Sequence, residues 1–522
     1  MLFERETVGA VKREEMSMSE RPDIVVVGAG SAGSVIARRL VDAGKRVLLL
    51  EAGGSDVKPV IQDPARLGEI WHSPDDWDYF TVPQPHAAGR RLHLPRGKVL
   101  GGSHSLNAMI YVRCAPQDYD HWESLGNPGW GWKDVLPVFK KIENYDGPAS
   151  ELRGTDGLLD VTVDYPLNPI QQSIIDAAVE SGLEENPDYN GDHLDGVARQ
   201  QLTIRDGERL STWRAYAEPV IDSPLLTVVT GAWVHRLLLD GTRVTGVEYE
   251  RLGEIVQVES DQVVLTAGAI DSPRILLRSG IGPADDLTKL GFEVVVDLPG
   301  VGKNLHDHLL SPVIFAAEKR EIAPPLTGTG ITQSHLFWRS KPGLEVPDTQ
   351  PIHFSVPMYE DWMEGPASGF TLMGGIVTPL SRGTLTLAGS DPHAEVLIDL
   401  NALAEEDDLL ALEASVRQVR EIGKAPALAD EWGARELYPG PAVDDDASLR
   451  DYVRRTAITY HHQVGTCKMG VDDLAVVDPT LRVHGVTGLM VADASIMPRV
   501  TTGNTNAPTI MIGEKAAEFL LA

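Results

Sequence analysis

Cysteine is scarce in this sequence of 522 residues, which contains only Cys114 and Cys467. Two cysteines are too few for a disulfide framework or a cysteine-rich metal site, and we expect a cytoplasmic protein. Positive charge is also limited, because 46 Lys and Arg residues face 76 Asp and Glu residues and the formal net charge is −30. Such a surface repels phosphate, so nucleic acid and anionic membranes are not expected as partners.

Long apolar runs are missing as well. No stretch of about 18 apolar residues occurs, so no membrane-spanning segment is expected. The first residues, MLFERETVGAVKREEMSMSE, alternate in charge and lack the apolar centre of a signal peptide. We interpret residues 1–19 as a disordered extension. The length of the remainder predicts more than one structural unit.

A dinucleotide-binding pattern is the first strong signal that is present. The β-branched run at residues 24–27 precedes Gly28, Gly30 and Gly33, and a second apolar strand ends at Glu51. In this pattern the first glycine permits a tight turn, the second admits a pyrophosphate, and the third lets the helix pack on the strand. Glu51 is expected to bind the adenosine ribose hydroxyls and disfavours NADP. The pattern alone leaves NAD and FAD open.

A glycine-rich segment follows at residues 95–113, with the sequence PRGKVLGGSHSLNAMIYVR. Glycines let a backbone lie close to a ligand, while Ser103 and Asn107 supply short polar contacts. His104 interrupts the small residues, and its larger side chain either reshapes the site or turns away from it. Because the segment leads into an apolar run, a binding role is favoured over an ordinary surface loop.

Four blocks occur in order along nearly the whole chain, and together they resemble the glucose–methanol–choline (GMC) oxidoreductase family, which binds FAD. They are VVVGAGSAG with LLLEAGG, PRGKVLGGSHSLNAMIYVR, LTAGAIDSPRILLRSGIGP, and HHQVGTCKMG continuing through GLMVADASIMP to GNTNAPTIMIGEKAAE. The resemblance implies an α/β fold with a Rossmann-like FAD-binding domain and a sheet-based substrate domain. The FAD-binding domain would combine residues 20–155, 197–308 and 454–522. Residues 156–196 and 309–453 would form the substrate domain.

The resemblance also implies which residues line the cofactor site. Beyond the three glycines, Glu51, Ser103 and Asn107 already named, they are Ser31, Ala32, Ala52, Val99, Gly101, Gly102, Ala108, Val234, Ala267, Asp493, Ala494 and Thr505. Val234 would contact the adenine through its backbone. For Asp493, a buried carboxylate that binds backbone amides is the alternative. Leu94, rather than His93, stands where some relatives attach FAD covalently, so non-covalent FAD is expected.

Two adjacent histidines in TYHHQVGTCKMG, His461 and His462, raise the question of which one is catalytic. The family's histidine stands three residues before the glycine of the VGT sequence, and His462 holds that position. Neighbours on a strand point to opposite faces, so one histidine is expected to face the flavin, although a turn relaxes this rule. By resemblance Asn504 hydrogen-bonds the substrate oxygen, with Asn506 as the alternative.

These residues imply an alcohol oxidation. A neutral imidazole at His462 takes the hydroxyl proton, Asn504 stabilises the oxygen, and the flavin accepts the hydride. The expected partners are a small alcohol and an electron acceptor, either dioxygen or another molecule; the oligomeric state is not predicted.

Leu310 replaces the glutamate that holds choline in the choline-oxidising branch, which favours a neutral primary alcohol. The HDH sequence at residues 306–308 lacks metal-ligand spacing, and no metal is expected.

Other functions stay open at the level of the sequence. A lyase of the same fold would retain the flavin without net electron transfer, and a binding protein would use it without catalysis. Choline dehydrogenase or oxidase activity is a further alternative, because an aromatic cage can also hold a quaternary ammonium group. An NAD-dependent dehydrogenase would be colourless when purified.

Overall fold

A five-stranded parallel sheet forms the centre of the first domain. The computed structural model describes residues 21–522, and the extension expected at residues 1–19 lies outside them. The strand order across the sheet is Leu226–Thr230, Val47–Glu51, Ile24–Val27, Val263–Leu265 and Leu489–Val491. The β-branched strand predicted at residues 24–27 and the second strand predicted at residues 47–50 are confirmed, and they are buried throughout because helices cover parallel sheets on both faces.

Three helices begin close to the carboxyl edge of this sheet. They are Ser31–Asp42, Gly268–Arg278 and Asn506–Leu521. The first and the last pack against each other so closely that a Cβ at Gly513 would lie 2.9 Å from the Cα of Ala32. The first helix of the described residues therefore packs directly against the last one.

An antiparallel sheet of three strands flanks the parallel sheet. Its strands are Trp233–Asp240, Arg243–Arg251 and Glu254–Glu259. The hairpin predicted at Gly241 is confirmed, and this glycine has the positive φ of 57° that such a turn requires. The first strand bulges between Val234 and Arg236, which leaves His235 without a residue opposite it.

The second large sheet is antiparallel and forms the centre of the second unit, the predicted substrate domain. Its order is Ala434–Tyr438, Leu309–Ala317, Gly369–Ile376, Ile352–Phe354, Thr332–Phe337 and Gly196–Arg199, and Ile458–Thr459 also pairs with Leu309–Ala317. The helix Glu406–Ile422 packs on Gly369–Ile376, and the helix Pro169–Glu180 packs on Thr332–Phe337. The domain division remains our proposal; because Gly196–Arg199 belongs to this sheet, we place the boundary after Arg199 rather than before residue 197.

Short elements complete the fold. The remaining helices are Pro59–Gln62, Pro116–Ser124, Trp132–Ile142, Ala284–Lys289, Pro426–Ala429 and Asp446–Thr456. Single helical turns occur at Pro64–Glu69, Pro85–Ala87, Gly102–Ser105, Trp213–Ala217, Glu218–Val220 and Ala494–Ile496. The remaining strand pairs are Tyr79–Phe80 with His93–Leu94, Glu143–Tyr145 with Leu159–Val161, Ile204–Arg205 with Glu208–Arg209, Ile281–Gly282 with Val296–Asp297, and Thr384–Leu387 with Val396–Asp399.

The structure bears on two expectations, one about membrane-spanning segments and one about disulfides. Within residues 21–522, the structure contains no helix with both the length and the apolar character needed to cross a bilayer. Cys114 and Cys467 are both buried and both free thiols.

Candidate active site

A single cavity runs from the carboxyl edge of the parallel sheet to the antiparallel sheet. At one end it is bordered by the residues that follow the strands Ile24–Val27, Val47–Glu51 and Val263–Leu265. At the other end it reaches His462 and Asn504. In open α/β sheets, ligands bind outside the carboxyl ends of the strands. The cavity therefore connects a dinucleotide cleft with the predicted catalytic pair.

Two glycines are required by close backbone contacts at the cleft. A Cβ on Gly33 would lie 1.9 Å from the carbonyl oxygen of Gly28, so the helix can approach the turn only without a side chain. A Cβ on Gly102 would lie 2.8 Å from the Cα of Gly30, and Gly102 has a φ of +54°. The two glycine-rich segments thus touch each other across the cleft.

Most of the predicted cofactor residues line this cavity. They are Gly28, Gly30, Ser31, Ala32, Glu51, Ala52, Gly102, Ser103, Asn107, Ala108, Val234, Ala267, Asp493, Ala494 and Thr505. Gly33, Val99 and Gly101 are not among the residues that line the cavity, and their assignment as cofactor contacts stays a prediction. Gly33 packs on the turn, the Val99 side chain is fully buried, and the N–H of Gly101 donates to the carbonyl of Ala29.

Two buried carboxylates organise the backbone around the cleft. Glu51 accepts hydrogen bonds from the N–H groups of Ala29 and Gly53 at 2.9 and 2.8 Å, and burial raises its pKa to about 7. Asp493 accepts from the N–H groups of Gly268 and Ser495 at 2.9 and 2.8 Å, and burial also raises its pKa. Asp493 therefore binds backbone amides, as the alternative interpretation predicted, and it also lines the cavity.

The residues at this end of the cavity fit FAD. The three helices that begin at the cavity place their positive ends there, and Gly30 provides no side-chain cap for the first turn of Ser31–Asp42, so its N–H groups are free to bind a pyrophosphate. The indole of Trp233 lines the cavity and its buried Nε1 has no hydrogen-bond partner within residues 21–522. An orphaned donor of this kind suits a polar ligand.

His462 and Asn504 face each other at the other end. The Nε2 atom of His462 lies 3.2 Å from the Nδ2 atom of Asn504, and the imidazole is 9 % exposed. The backbone N–H of His462 donates to the Oδ1 atom of Asp307 at 2.7 Å, which holds this segment in place. Burial, followed by the neighbouring His308, lowers the pKa of His462 well below its usual value. The imidazole is thus neutral at pH 7 and can accept a proton.

The side-chain amide of Asn504 is oriented by Gln350. The Nε2 atom of Gln350 donates to the Oδ1 atom of Asn504 at 2.9 Å, which turns the NH₂ group of Asn504 toward His462. The Nε2 atom of His462 is then an acceptor, and its Nδ1–H donates to the Nδ1 atom of His308 at 3.0 Å. This chain of bonds places the lone pair of the imidazole on the side of the cavity.

His461 lines the same cavity but is held differently. Its φ of 66° places it in the left-handed region, so the strand rule of alternating faces does not apply and both histidines reach the cavity. Its Nδ1 atom lies 2.8 Å from the hydroxyl of Thr459, and its ring meets the edge of Trp71 at a centroid distance of 5.1 Å. His461 therefore packs and shapes the cavity wall.

Asn506, the alternative partner, is committed elsewhere. Its Nδ2 atom donates to the hydroxyl of Ser31 at 2.8 Å, which ties the start of one helix to the start of another. The geometry therefore favours Asn504 over Asn506 as the partner of the base.

The HDH sequence at residues 306–308 does not form a metal site. His306 bridges the carbonyl of Asn304 and the N–H of Val500, at 2.6 and 2.8 Å. Asp307 binds the backbone of His462 and the side chain of Gln463. His308 contacts His462, so Asp307 and His308 support the segment that carries the candidate base, whereas His306 ties residue 304 to residue 500.

His104 turns away from the cavity. Its Nδ1 atom accepts from the N–H of Thr212 at 3.1 Å, and its Nε2 atom lies 2.9 Å from the hydroxyl of Thr203. This side chain is fully buried, and burial lowers its pKa to about 3. The larger residue in the glycine-rich segment thus ties that segment to residues 203–212 and does not reshape the site.

The lowered pKa of His104 predicts a pH-dependent stability. In the unfolded chain this histidine takes up a proton below about pH 6.5, whereas in the fold it stays neutral down to about pH 3. Its contribution to stability is therefore present above pH 6.5 and is lost as the pH falls.

His104→Gln can keep both hydrogen bonds without titrating. Relative to this variant, the wild-type free energy of unfolding should fall by about 1.4 kcal/mol per pH unit below pH 6.5. Urea titrations at several pH values measure this difference, and a difference independent of pH would contradict the prediction.

The chamber beside His462 is apolar. Its wall is formed by Ile110, Leu310, Ile352, Phe354, Met358, Met373, Ile458 and Tyr460. The acidic residues that line the cavity are Glu51, Asp271 and Asp493, and all three bond to residues of the dinucleotide cleft or of the helix Gly268–Arg278. The chamber accordingly accepts the uncharged, apolar body of a ligand.

Several site residues are not recognisable from the sequence. Gln350 lies in a strand-rich segment without a motif and reaches Asn504 across 154 positions. Trp71 and Trp233 line the cavity from segments with no signal beyond their aromatic character. These contacts arise only when the two sheets are packed together.

The chain was compared with known proteins. Two family models described as GMC oxidoreductase match residues 22–310 and 379–513. The alcohol dehydrogenase [acceptor] of Pseudomonas putida is 40 % identical over 528 residues, covering 96 % of this chain and 95 % of that protein. The oxygen-dependent choline dehydrogenase of Brucella anthropi is 40 % identical over 527 residues, with the same coverage of both chains.

A solved structure agrees with these matches. The crystal structure of pyridoxine 4-oxidase from Mesorbium loti superimposes with a TM-score of 0.91 at 36 % sequence identity. The match covers 95 % of this chain and 99 % of that one. The likeness therefore includes both sheets and the cavity between them.

Proposed function

The chain belongs to the GMC oxidoreductase family, and from that premise we propose that it oxidises a neutral primary alcohol to the aldehyde at His462. It is an FAD-dependent oxidoreductase that acts on CH–OH groups. One observation carries the assignment of the site: the neutral imidazole of His462 and the amide of Asn504 lie 3.2 Å apart at the end of the cavity that begins in the dinucleotide cleft.

The proposed chemistry divides the work between two side chains. The Nε2 atom of His462 accepts the proton of the substrate hydroxyl, because burial keeps the imidazole neutral. The Nδ2–H of Asn504 donates a hydrogen bond to the same substrate oxygen as negative charge develops on it. Bound FAD would supply the acceptor for the hydride that leaves the carbon atom. His462 is buried, which keeps water away from the imidazole and strengthens both interactions.

The proposed substrate class follows from the chamber wall. Leu310 lines the chamber and is 4 % exposed, and by resemblance it stands where the choline-oxidising branch has a glutamate. The surrounding side chains are apolar, so they favour an aliphatic or aryl body next to the reacting carbon. Among the relatives, one is named for alcohol and another for choline. Our proposal favours a neutral alcohol over choline as the substrate.

An anaerobic panel of alcohols tests this proposal. Apolar primary alcohols should bleach the visible bands of the flavin, whereas choline should do so poorly, because its cationic head would enter an apolar chamber without a counter-charge. Parallel assays with dioxygen and with an artificial acceptor identify the electron acceptor. A protein whose flavin no alcohol reduces would instead be a lyase or a binding protein of this fold. Preferential reduction by choline would contradict the substrate class.

Gln350 provides a further prediction within the same site. Gln350→Met keeps the volume of the side chain but removes the bond that orients the amide of Asn504. Loss of one buried hydrogen bond should slow flavin reduction about tenfold, with little change in KM. Gln350→Glu is the matched variant, since it retains the volume but offers only acceptor atoms when ionised. Stopped-flow reduction measures both variants, and unaltered rates in both would remove Gln350 from the site.

Two broader features remain part of the proposal. We infer that FAD is bound without a covalent link, because Leu94 is fully buried and lies outside the cavity wall. The two free cysteines are compatible with a cytoplasmic location.

A further inference from the structure

We propose a divalent transition-metal site formed by His235, Glu250 and His393, on the face of the three-stranded sheet next to the cofactor cleft. The Nε2 atoms of both histidines approach one carboxylate oxygen, Oε2 of Glu250, at 3.5 and 3.0 Å. Ligand atoms that bind zinc at about 2.0–2.1 Å in a tetrahedral arrangement lie about 3.3 Å from one another. These two distances are close to that spacing, and all three donor atoms lie within 4.8 Å of one another, so they can serve a single ion.

The orientation of the two imidazoles agrees with this spacing. Their centroids are 5.7 Å apart and their planes cross at 79°, so both nitrogen atoms can point at a common centre. The exposed cluster of His72, Asp78 and His93 differs in this respect. Its two imidazoles are stacked 4.0 Å apart at 23°, so their lone pairs run nearly side by side and cannot converge well on one ion.

A buried donor without a partner provides a second, independent observation. His235 is 2 % exposed, and its Nε2 atom has no hydrogen-bond partner within residues 21–522. The distance of 3.5 Å to Glu250 is too long for a good hydrogen bond. A buried nitrogen atom of this kind is costly unless something binds it, and a metal ion at the centre would do so.

The backbone holds the three donors in place before any ion binds. His235 is the unpaired residue of the bulge, and Glu250 lies opposite Trp233 on the neighbouring strand. The loop at residues 388–395 carries His393. Two arginines of the helix Gly268–Arg278 secure that loop, since Arg278 donates to the carbonyls of Ser390 and Asp391 and Arg274 donates to the carbonyl of Pro392.

The ligand set defines the class of ion. Two imidazoles and one carboxylate suit Zn²⁺ and its neighbours in the first transition row rather than Mg²⁺ or Ca²⁺, which prefer oxygen ligands. The side chain of His393 is 60 % exposed, which leaves room for water as a fourth ligand. The nearby charges of Arg274 and Arg278 oppose a cation, so a strong nitrogen-binding metal is required. An ion bound there would link the loop at residues 388–395 to the three-stranded sheet next to the cofactor cleft.

Trp233 links this site to the cavity. Its ring meets both His235 and His393 edge to face at centroid distances of 4.9 Å, and the same indole lines the cofactor cleft. The metal would therefore steady one wall of that cleft without touching the reacting atoms. Its role is structural, and its binding can be measured without any assay of catalysis.

Zinc titration of the chelator-treated holoenzyme tests the proposal. One Zn²⁺ per chain should bind, and it should raise the midpoint of thermal unfolding because it binds only the folded state. His393→Ala and Glu250→Gln should each weaken binding about 100-fold or more, since even the partners of metal ligands contribute 10- to 100-fold. His393 is exposed and Glu250→Gln conserves shape, so both variants should fold and keep their flavin.

His72→Ala serves as the matched control, because it removes a histidine from the other cluster and should leave the zinc stoichiometry unchanged. The proposal is overturned if the wild-type protein binds no zinc, or if His393→Ala binds it as tightly as wild type. It is also overturned if His72→Ala, rather than His393→Ala, abolishes binding. X-ray absorption on the zinc-loaded protein should report two imidazole ligands, and a shell of oxygen atoms alone would contradict the assignment.

Discussion

His462→Ala should slow reduction of the bound flavin by alcohol about 100- to 10,000-fold, as expected for the loss of a general base. In the structure the imidazole is neutral, and its Nε2 atom is the acceptor that faces the amide of Asn504. Alanine leaves no group there that can take the hydroxyl proton. Anaerobic stopped-flow spectroscopy measures the rate, and the visible spectrum establishes that FAD remains bound.

Two comparisons separate a base from a merely structural residue. Added imidazole should restore part of the activity of His462→Ala, because it can occupy the vacated space and take the proton. His461→Asn should lose much less activity, since asparagine tolerates the left-handed backbone at that position. Near-normal reduction by His462→Ala, or a larger loss in His461→Asn, would assign the base to another residue.

Asn504→Ala should slow flavin reduction about 100-fold, which is the usual effect of removing one hydrogen-bond donor to a developing oxyanion. The donor in question is Nδ2, which Gln350 turns toward the substrate side by binding Oδ1 at 2.9 Å. The loss should fall mainly on the rate of reduction rather than on KM, because the bond strengthens as charge develops on the oxygen. Content of FAD should be unchanged.

Asn504→His and Asn506→Ala complete this test. A histidine at residue 504 also offers an N–H donor, so it should recover much of the activity that alanine loses. Asn506→Ala removes a bond to Ser31 at the start of the first helix and should chiefly weaken FAD binding. Full activity in Asn504→Ala together with a large rate loss in Asn506→Ala would transfer the oxyanion role to Asn506.

The dinucleotide cleft could be predicted from sequence because its requirements are local. Gly33 must lack a side chain to pack on Gly28, and Glu51 must end the next strand. Such constraints act within about twenty-five residues and therefore leave a readable spacing. Val99 belongs to one of the predicted segments, but its side chain is fully buried and does not line the cavity. Spacing places a residue in a segment but does not say which way its side chain turns.

The sequence by itself predicted the buried parallel strands and the glycine turns from local spacing, and its four blocks that resemble the GMC family implied FAD and the pairing of His462 with a residue of GNTNAP. Only the tertiary structure decided that Gln350 orients Asn504, that Asn506 binds Ser31, and that His235, Glu250 and His393 converge. Glu250 and His393 are 143 positions apart in the chain, Gln350 and Asn504 are 154 apart, and Ser31 and Asn506 are 475 apart. These contacts exist because elements that are distant in the chain pack against one another, and no local spacing along the chain records that packing.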